Sequence, residues 1–370
     1  MTSKNVLVAM TLLFLLLLMV FAIREQSVKS ASSVEDISVA WAGSGHADRT
    51  SLAFTDWDET NPPSVPVTCA MCHSYYGFID YLGEDGSEIG KVDKEAKIGS
   101  VLFCNTCHNP STPSYNTVVF PSGDKLTDLG PEATCTTCHH GRQSTVGINK
   151  VTAGKPVDTP IEKQGFMNPH YFPASATQAG GLVQGAYQYE GQTYVGRFEH
   201  AKTMDTCYEC HNPHSLTINP KTCSPCHSNV VDEEDLRDIR QTKVDYDRDG
   251  DVKEGMAAEL ESRHELLYQT IRDYAANVLG TPIAYSEEAY PYFFIDTNND
   301  GRADEEEAVN ANRYVKWGPR LLQAAYNYQF IKKDPGAFVH NPKYLLQVSY
   351  DSIKDLSNVV AVNMDGLVRP

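Results

Sequence analysis

The chain lacks any surplus of positive charge. Its 370 residues include 31 Lys and Arg against 48 Asp and Glu, a formal net charge of −17. A nucleic-acid partner requires a basic footprint, so that class is excluded. Hydrophobic residues make up 41% and charged residues 21%. That composition fits neither a disordered chain nor a multi-span membrane protein. No cysteine precedes Cys69, which leaves no site for lipoprotein acylation, and none follows Cys226. Ten cysteines in this length fall short of the density of a small disulfide scaffold. The apolar run from Val6 to Ile23, flanked by Lys4 and Arg24, lies between a long signal-peptide core and a short membrane helix. Residues 1–30 read as a signal peptide cleaved after Ser30, with an uncleaved membrane anchor as the alternative. Either reading puts the remainder outside the cytoplasm, in the periplasm or at the cell surface.

The cysteines themselves form five copies of one pattern: Cys69-Ala-Met-Cys72-His73, Cys104-Asn-Thr-Cys107-His108, Cys135-Thr-Thr-Cys138-His139, Cys207-Tyr-Glu-Cys210-His211 and Cys223-Ser-Pro-Cys226-His227. None is left over. Two thiols three positions apart lie on one helical turn and can bond the two vinyl groups of one porphyrin. The following histidine then ligates iron from the proximal side. Zinc ribbons do not demand a histidine after every pair. Thioredoxin-like motifs occur singly, and disulfides impose no histidine at a fixed offset. Five covalent haem c groups are therefore expected.

On these motifs the chain resembles the multihaem c-type cytochromes. The segment Gly336-Ala-Phe-Val-His340-Asn-Pro-Lys-Tyr-Leu-Leu346, running on to Ile353, looks like the C-terminal segment of several of them. The resemblance implies that His340 is a haem ligand.

Twelve histidines less five proximal ones leave His46, His140, His170, His200, His214, His264 and His340. That supply suffices for two histidines on every iron. His214 follows His211 by three residues, so it cannot cap the same iron from the opposite face. It is expected on a neighbouring haem, which would bring two haems close. His170 and His200 lie in the long interval between the third and fourth motifs, and His46 lies in a glycine-rich loop. With His340 these make the expected distal set. His140 directly follows a proximal histidine and is expected to point elsewhere. His264 falls on an apolar helical stripe with Met256, Leu260, Leu267 and Ile271, which suits a core histidine.

Residues 40–230 are rich in Gly, Pro, Ser, Thr and Asn. They read as a pentahaem domain, mainly coil with short helices and small hairpins wrapped around five haems. Hairpins are predicted at 75–92 and 186–198. Residues 231–370 read as an α-helical C-terminal region, with helices near 231–242, 254–279, 304–317, 319–332 and 342–357. This region holds two acidic loops. Asp296, Asn298, Asp300, Gly301, Asp304 and Glu307 occupy positions 1, 3, 5, 6, 9 and 12 of a calcium loop, and Arg302 offers its carbonyl. The earlier loop has Asp245, Asp247, Asp249 and Asp251, but Met256 stands at position 12. Glu254 or Glu259 is the expected substitute, making a second calcium conceivable.

Five six-coordinate haems suit an electron carrier. Its acidic surface suits other redox proteins or extracellular electron acceptors, and a homo-oligomer or filament is compatible with it. Membrane association requires the uncleaved anchor. The alternative is a multihaem reductase of a nitrogen or sulfur oxyanion with one open haem. Pentahaem nitrite reductases typically attach that haem through Cys-X-X-Cys-Lys, and no such motif occurs here. A non-enzyme is therefore expected.

Overall fold

A computed structural model describes residues 33–201 and 204–370, so the leader expected at residues 1–30 lies outside the described part. No helix within it is long and apolar enough to cross a membrane.

Helices before residue 231 are short. They are α1 (Val34–Ala42), α2 (Leu52–Thr55), α3 (Val67–His73), α4 (Tyr75–Tyr81), α5 (Cys104–Cys107), α6 (Glu132–Cys138), α7 (Thr145–Thr152), α8 (Ala174–Ala179) and α9 (Cys207–Cys210). Ser33 starts α1 by accepting the Asp36 N–H while Asp36 reaches back to the Ser33 N–H. A two-residue antiparallel ladder joins β1 (Val118–Val119) to β2 (Lys125–Leu126). The hairpin predicted at 75–92 is absent, and its first part is helix α4. There Gly77 crosses α3 so closely that a Cβ would stand 2.2 Å from the Ala70 carbonyl oxygen. Helix-on-helix contact thus overrides the strand-like run of aromatics. The second predicted hairpin forms no strand either. Its backbone donors go to side chains, Tyr189 N–H to the Tyr194 hydroxyl and Val195 N–H to Gln347 Oε1, each at 2.9 Å.

After residue 231 the helices lengthen. The predicted helix at 231–242 is one 3-10 turn, Glu234–Asp238. Helix α10 (Met256–Asn277) is followed by a hairpin of β3 (Ile283–Tyr285) and β4 (Phe293–Ile295), in register Ile283 to Ile295. Residues 304–317 form no α-helix, only a 3-10 turn at Asn310–Asn312. Arg313 bridges Phe294, and Tyr314 N–H donates to the Phe293 carbonyl at 2.9 Å, which extends the hairpin. Then come α11 (Pro319–Lys332), α12 (Ala337–His340) and α13 (Pro342–Leu356). Pro319 and Pro342 sit in the first turns of α11 and α13, where no backbone donor is needed. Asn341 caps α13 by accepting the Tyr344 N–H at 3.1 Å.

Helices α10, α11 and α13 pack against one another pairwise. Their shared interior includes Leu267, Ile271, Tyr274, Leu321, Tyr326, Phe330, Tyr344 and Leu346, all essentially buried. Each such side chain contributes on the order of 1.5–3 kcal/mol by leaving water. Val118, Phe120, Ile148, Ala176 and Tyr187 belong to the same hydrophobic cluster. Residues 118–187 therefore rest on the helices, and the bundle supports the third motif and the long loop after it. A separate small cluster, Val65, Ala70 and Ala96, lies under the first motif.

Candidate haem centres and cation loops

Every attachment motif is one helical turn. The His N–H donates to the carbonyl of the first cysteine in four of them: His108 to Cys104 at 2.8 Å, His139 to Cys135 at 3.0 Å, His211 to Cys207 at 2.8 Å and His227 to Cys223 at 2.9 Å. The fifth, Cys69–His73, is the body of α3. The turn sets both thiols on one side and the imidazole beside them. None of the ten cysteines is in a disulfide, and none is a fully buried residue.

The histidines meet in five pairs. His73 faces His170 with ring centres 5.6 Å apart, His46 faces His139 at 6.4 Å, and His108 faces His214 at 6.2 Å with the rings within 8° of parallel. His200 faces His227 at 5.9 Å and His211 faces His340 at 6.4 Å. Each pair joins one motif histidine to one of the expected distal set. Two metal–nitrogen bonds of about 2 Å set end to end, with a half-ring behind each, put ring centres about 6 Å apart. The residues thus fit a metal between each pair. Nε2 of His73 and Nε2 of His170 lie 3.4 Å apart, closer than the roughly 4 Å that two such bonds would set between them.

Several rings have the other nitrogen fixed. His73 Nδ1 lies 2.7 Å from the Ala53 carbonyl and His139 Nδ1 lies 3.1 Å from that of Phe172. An Nδ1–H held this way leaves the Nε2 lone pair for a metal. Burial, then the facing His139, pushes His46 down to about 4, and burial with the facing His73 does the same to His170. Burial lowers His73, His139 and His211 as well. These rings are neutral at pH 7, as a ligand nitrogen must be. His340 differs. Burial alone would lower it, but its Nδ1 lies 2.8 Å from buried Asp334 Oδ1, and the carboxylate raises it.

The two remaining histidines are occupied elsewhere. His140 Nδ1 lies 2.6 Å from the Gly141 carbonyl and its ring packs on Phe120. His264 is half-buried, stacks on Tyr328 at 4.1 Å and has Nε2 2.8 Å from the Tyr328 carbonyl.

Contacts between motifs give the centres an order. The Cys72 Sγ lies 3.7 Å from the Thr137 carbonyl, next to Cys138, and the Cys207 Sγ lies 3.2 Å from Glu132 Oε1 on the helix that carries Cys135. Burial, with Cys135 and Cys104 nearby, pushes the Cys107 thiol up to about 11. Cys223 adjoins Cys210. Helix α6 therefore neighbours the first, second and fourth motifs, and the fifth adjoins the fourth. Glu132, on α6 and 3% exposed, holds this junction. Its Oε1 accepts the Cys207 N–H at 2.9 Å, and its Oε2 pairs with Arg197 at 3.0 Å. Neither Glu132 nor Asp334 is marked by any motif.

The acidic loops share one backbone. In both, position 6 donates its N–H to the position-1 carboxylate at 2.9 Å: Gly250 to Asp245 and Gly301 to Asp296. In both, positions 4 and 6 have positive φ, at Arg248 and Gly250 and at Asn299 and Gly301. Asn298 and Asp300 accept the N–H groups of Asp300 and Arg302, and Asp304 accepts that of Glu307. Carboxylate oxygens of Asp245, Asp247 and Glu259 lie within 4.8 Å of one another, as do those of Asp247, Asp249 and Glu254. Asp251 stays exposed outside both clusters. Burial and the surrounding carboxylates push Glu254 up to about 7.

This geometry defines a chain equipped to hold several haem c groups, and comparison with known proteins points the same way. The chain is similar to the C-type polyheme cytochromes OmcB and OmcC of Geobacter sulfurreducens. OmcB is 24% identical over 83% of this chain, and OmcC is 26% identical over 87%. In each case the match covers 46% of the relative, so the chain spans about half the length of these proteins. The nine-heme cytochrome c of Desulfovibrio desulfuricans is 24% identical over 45% of this chain and 60% of its own length. No family model and no solved structure matches. Covalent haem c is the cofactor common to the relatives and to the motifs.

Proposed function

We propose that the chain is an electron carrier with five covalently bound haem c groups, each iron held by two histidines. The pairs are His73 with His170, His108 with His214, His139 with His46, His211 with His340 and His227 with His200. One observation carries the reading: five motif rings face five other rings at a metal-bridging distance, each ring used once. Bound haem c supplies reversible one-electron iron chemistry. The chain's own part is to tether, to offer a histidine on both sides and to orient rings such as His73, His139 and His340 through their Nδ1 atoms. With two histidines offered to each haem c, no iron would be open to a substrate, which favours carriage over oxyanion reduction.

The thiol contacts support a branched relay. The third centre, on α6, is the junction of the first, second and fourth, and the fifth lies beyond the fourth. The apolar leader supports a place outside the cytoplasm, and the net charge of −17 suits a basic redox partner or a metal-ion acceptor.

Two measurements on the purified mature chain test this. Its mass should exceed that of the polypeptide by five haem groups. Its reduced spectrum should not change under carbon monoxide. Stoichiometric carbon monoxide binding at one haem would overturn the carrier reading and favour the reductase.

A further inference from the structure

The second acidic loop departs from the calcium pattern at its closing position, yet the structure supplies a replacement. In the 296–307 loop the N–H groups of Thr297 and Asn298 (positions 2 and 3) donate to Glu307 Oε1 at 2.6 and 3.3 Å. In the 245 loop the same two positions, Tyr246 and Asp247, donate to Glu259 Oε2 at 2.8 and 2.9 Å. Glu259 stands three residues beyond position 12 and belongs to the first turn of α10. It is brought back to the place that Glu307 holds in the other loop.

In both glutamates the second oxygen receives no hydrogen bond. Glu307 is 4% exposed and Glu259 0%, and neither Glu307 Oε2 nor Glu259 Oε1 has a hydrogen-bond partner. Asp296, 3% exposed, likewise leaves Oδ1 unpaired. Arg240 Nη2 lies 2.5 Å from Glu259 Oε1, but at an angle that makes no hydrogen bond. A buried carboxylate oxygen without a donor is costly, and a hard cation removes that cost.

We propose that the 245 loop is a second calcium site, closed by Glu259 in place of a position-12 glutamate. Asp245, Asp247 and Asp249 supply the loop oxygens, and the 296–307 loop holds the first calcium through Asp296, Asn298, Asp300 and Glu307. Both loops rest on α10. Glu259 closes one near the start of the helix. Further along, Tyr268 donates to the Gly301 carbonyl at 2.9 Å and Arg272 Nη2 lies 3.8 Å from Asp296 Oδ2. The two cations therefore pin the longest helix at two points.

The haem-loaded chain, stripped with a chelator and dialysed against calcium chloride, tests this by metal analysis. Two calcium ions per chain are expected. Glu259→Gln and Glu307→Gln should each leave one, and the double variant none. Asp249→Asn changes an exposed residue and should weaken the same site as Glu259→Gln by tenfold or more. The haem spectrum reports separately that each variant is folded. A single calcium in the native chain that survives both Glu259→Gln and Asp249→Asn overturns the proposal, and so does a chain that takes up none. Two calcium ions that both survive Glu259→Gln overturn the assignment of Glu259.

Discussion

Residues 231–370 and the residues before them are held together by different means. In the C-terminal region the interior is side chains. Trp317, Tyr274, Tyr314, Tyr326, Tyr344, Phe293, Phe294 and Phe330 are among the largest fully buried residues, whereas Phe78 and Ile148 are the counterparts before residue 231. In that earlier part the recurring long-range contact is one histidine ring facing another. Leu52 and Ile89 stand exposed there, and the cluster under the first motif holds three buried residues. On the proposed function, a chain that leaves its interior to a cofactor has no need of periodic apolar faces. It needs ligands and tethers at fixed places, with turns between them.

The largest test of that contrast is to withhold the haem. In protein produced without haem attachment, hydrogen exchange should show α3, α5 and α9 losing most of their protection. The amides of α10, α11 and α13 should keep theirs. Helix α6 should fall between, because residues near it share the bundle's core. Equal loss in both regions would erase the distinction.

The same contrast explains what was legible in the sequence. Helices α10, α11 and α13 show in the 3.6-residue pattern because side chains fill their interior. The five motifs show because haem attachment fixes residue spacing. Counting supply against demand shows only that the seven further histidines suffice, and their positions in loops single out five. Which ring faces which does not, since loops of unequal length carry them. Alternating Tyr and Gln at 186–198 suggests a hairpin, but side-chain acceptors such as Tyr194 and Gln347 take the place of a partner strand. Asp334 is hidden because its role depends on the turn into α12, which brings it onto His340. Glu259 is legible only as one of two substitutes, with Glu254, because it stands three residues past the expected closing position.

A smaller test separates a histidine that serves the core from those that face one another. Burial pushes His264 down to about 4, against an ordinary value near 6.5. Below pH 6.5 the unfolded chain takes a proton that the folded chain refuses. Stability should therefore fall as the pH drops from 6.5 to 4, by at most about 3 kcal/mol, and then level off. His264→Phe keeps the stack on Tyr328 and removes the proton. Denaturant unfolding of the variant at pH 7.5 and 4.5 should show a correspondingly smaller difference than the native chain. An unchanged difference would assign the acid sensitivity elsewhere.

The smallest expected effect distinguishes one histidine pair from the others. His73 and His139 have their Nδ1 atoms against neutral carbonyls, at 2.7 and 3.1 Å. His340 Nδ1 instead donates to the Asp334 carboxylate, which lies 2.8 Å away and is 2% exposed. His340 and the hydrogen bonds around it hold Asp334 below the usual carboxylate range although burial pushes it up. A carboxylate behind the ring makes the imidazole a stronger donor and favours the oxidised metal. Asp334→Asn keeps an acceptor in place and removes the charge. If such a partner is worth ten- to a hundredfold in affinity, the haem held by His211 and His340 should rise by about 60 to 120 mV. Redox titration should show one of five centres moving upward with its low-spin spectrum intact. A titration curve identical to the native one would mean that the charge behind His340 does not reach the metal, and that the carboxylate only fixes the orientation of the ring.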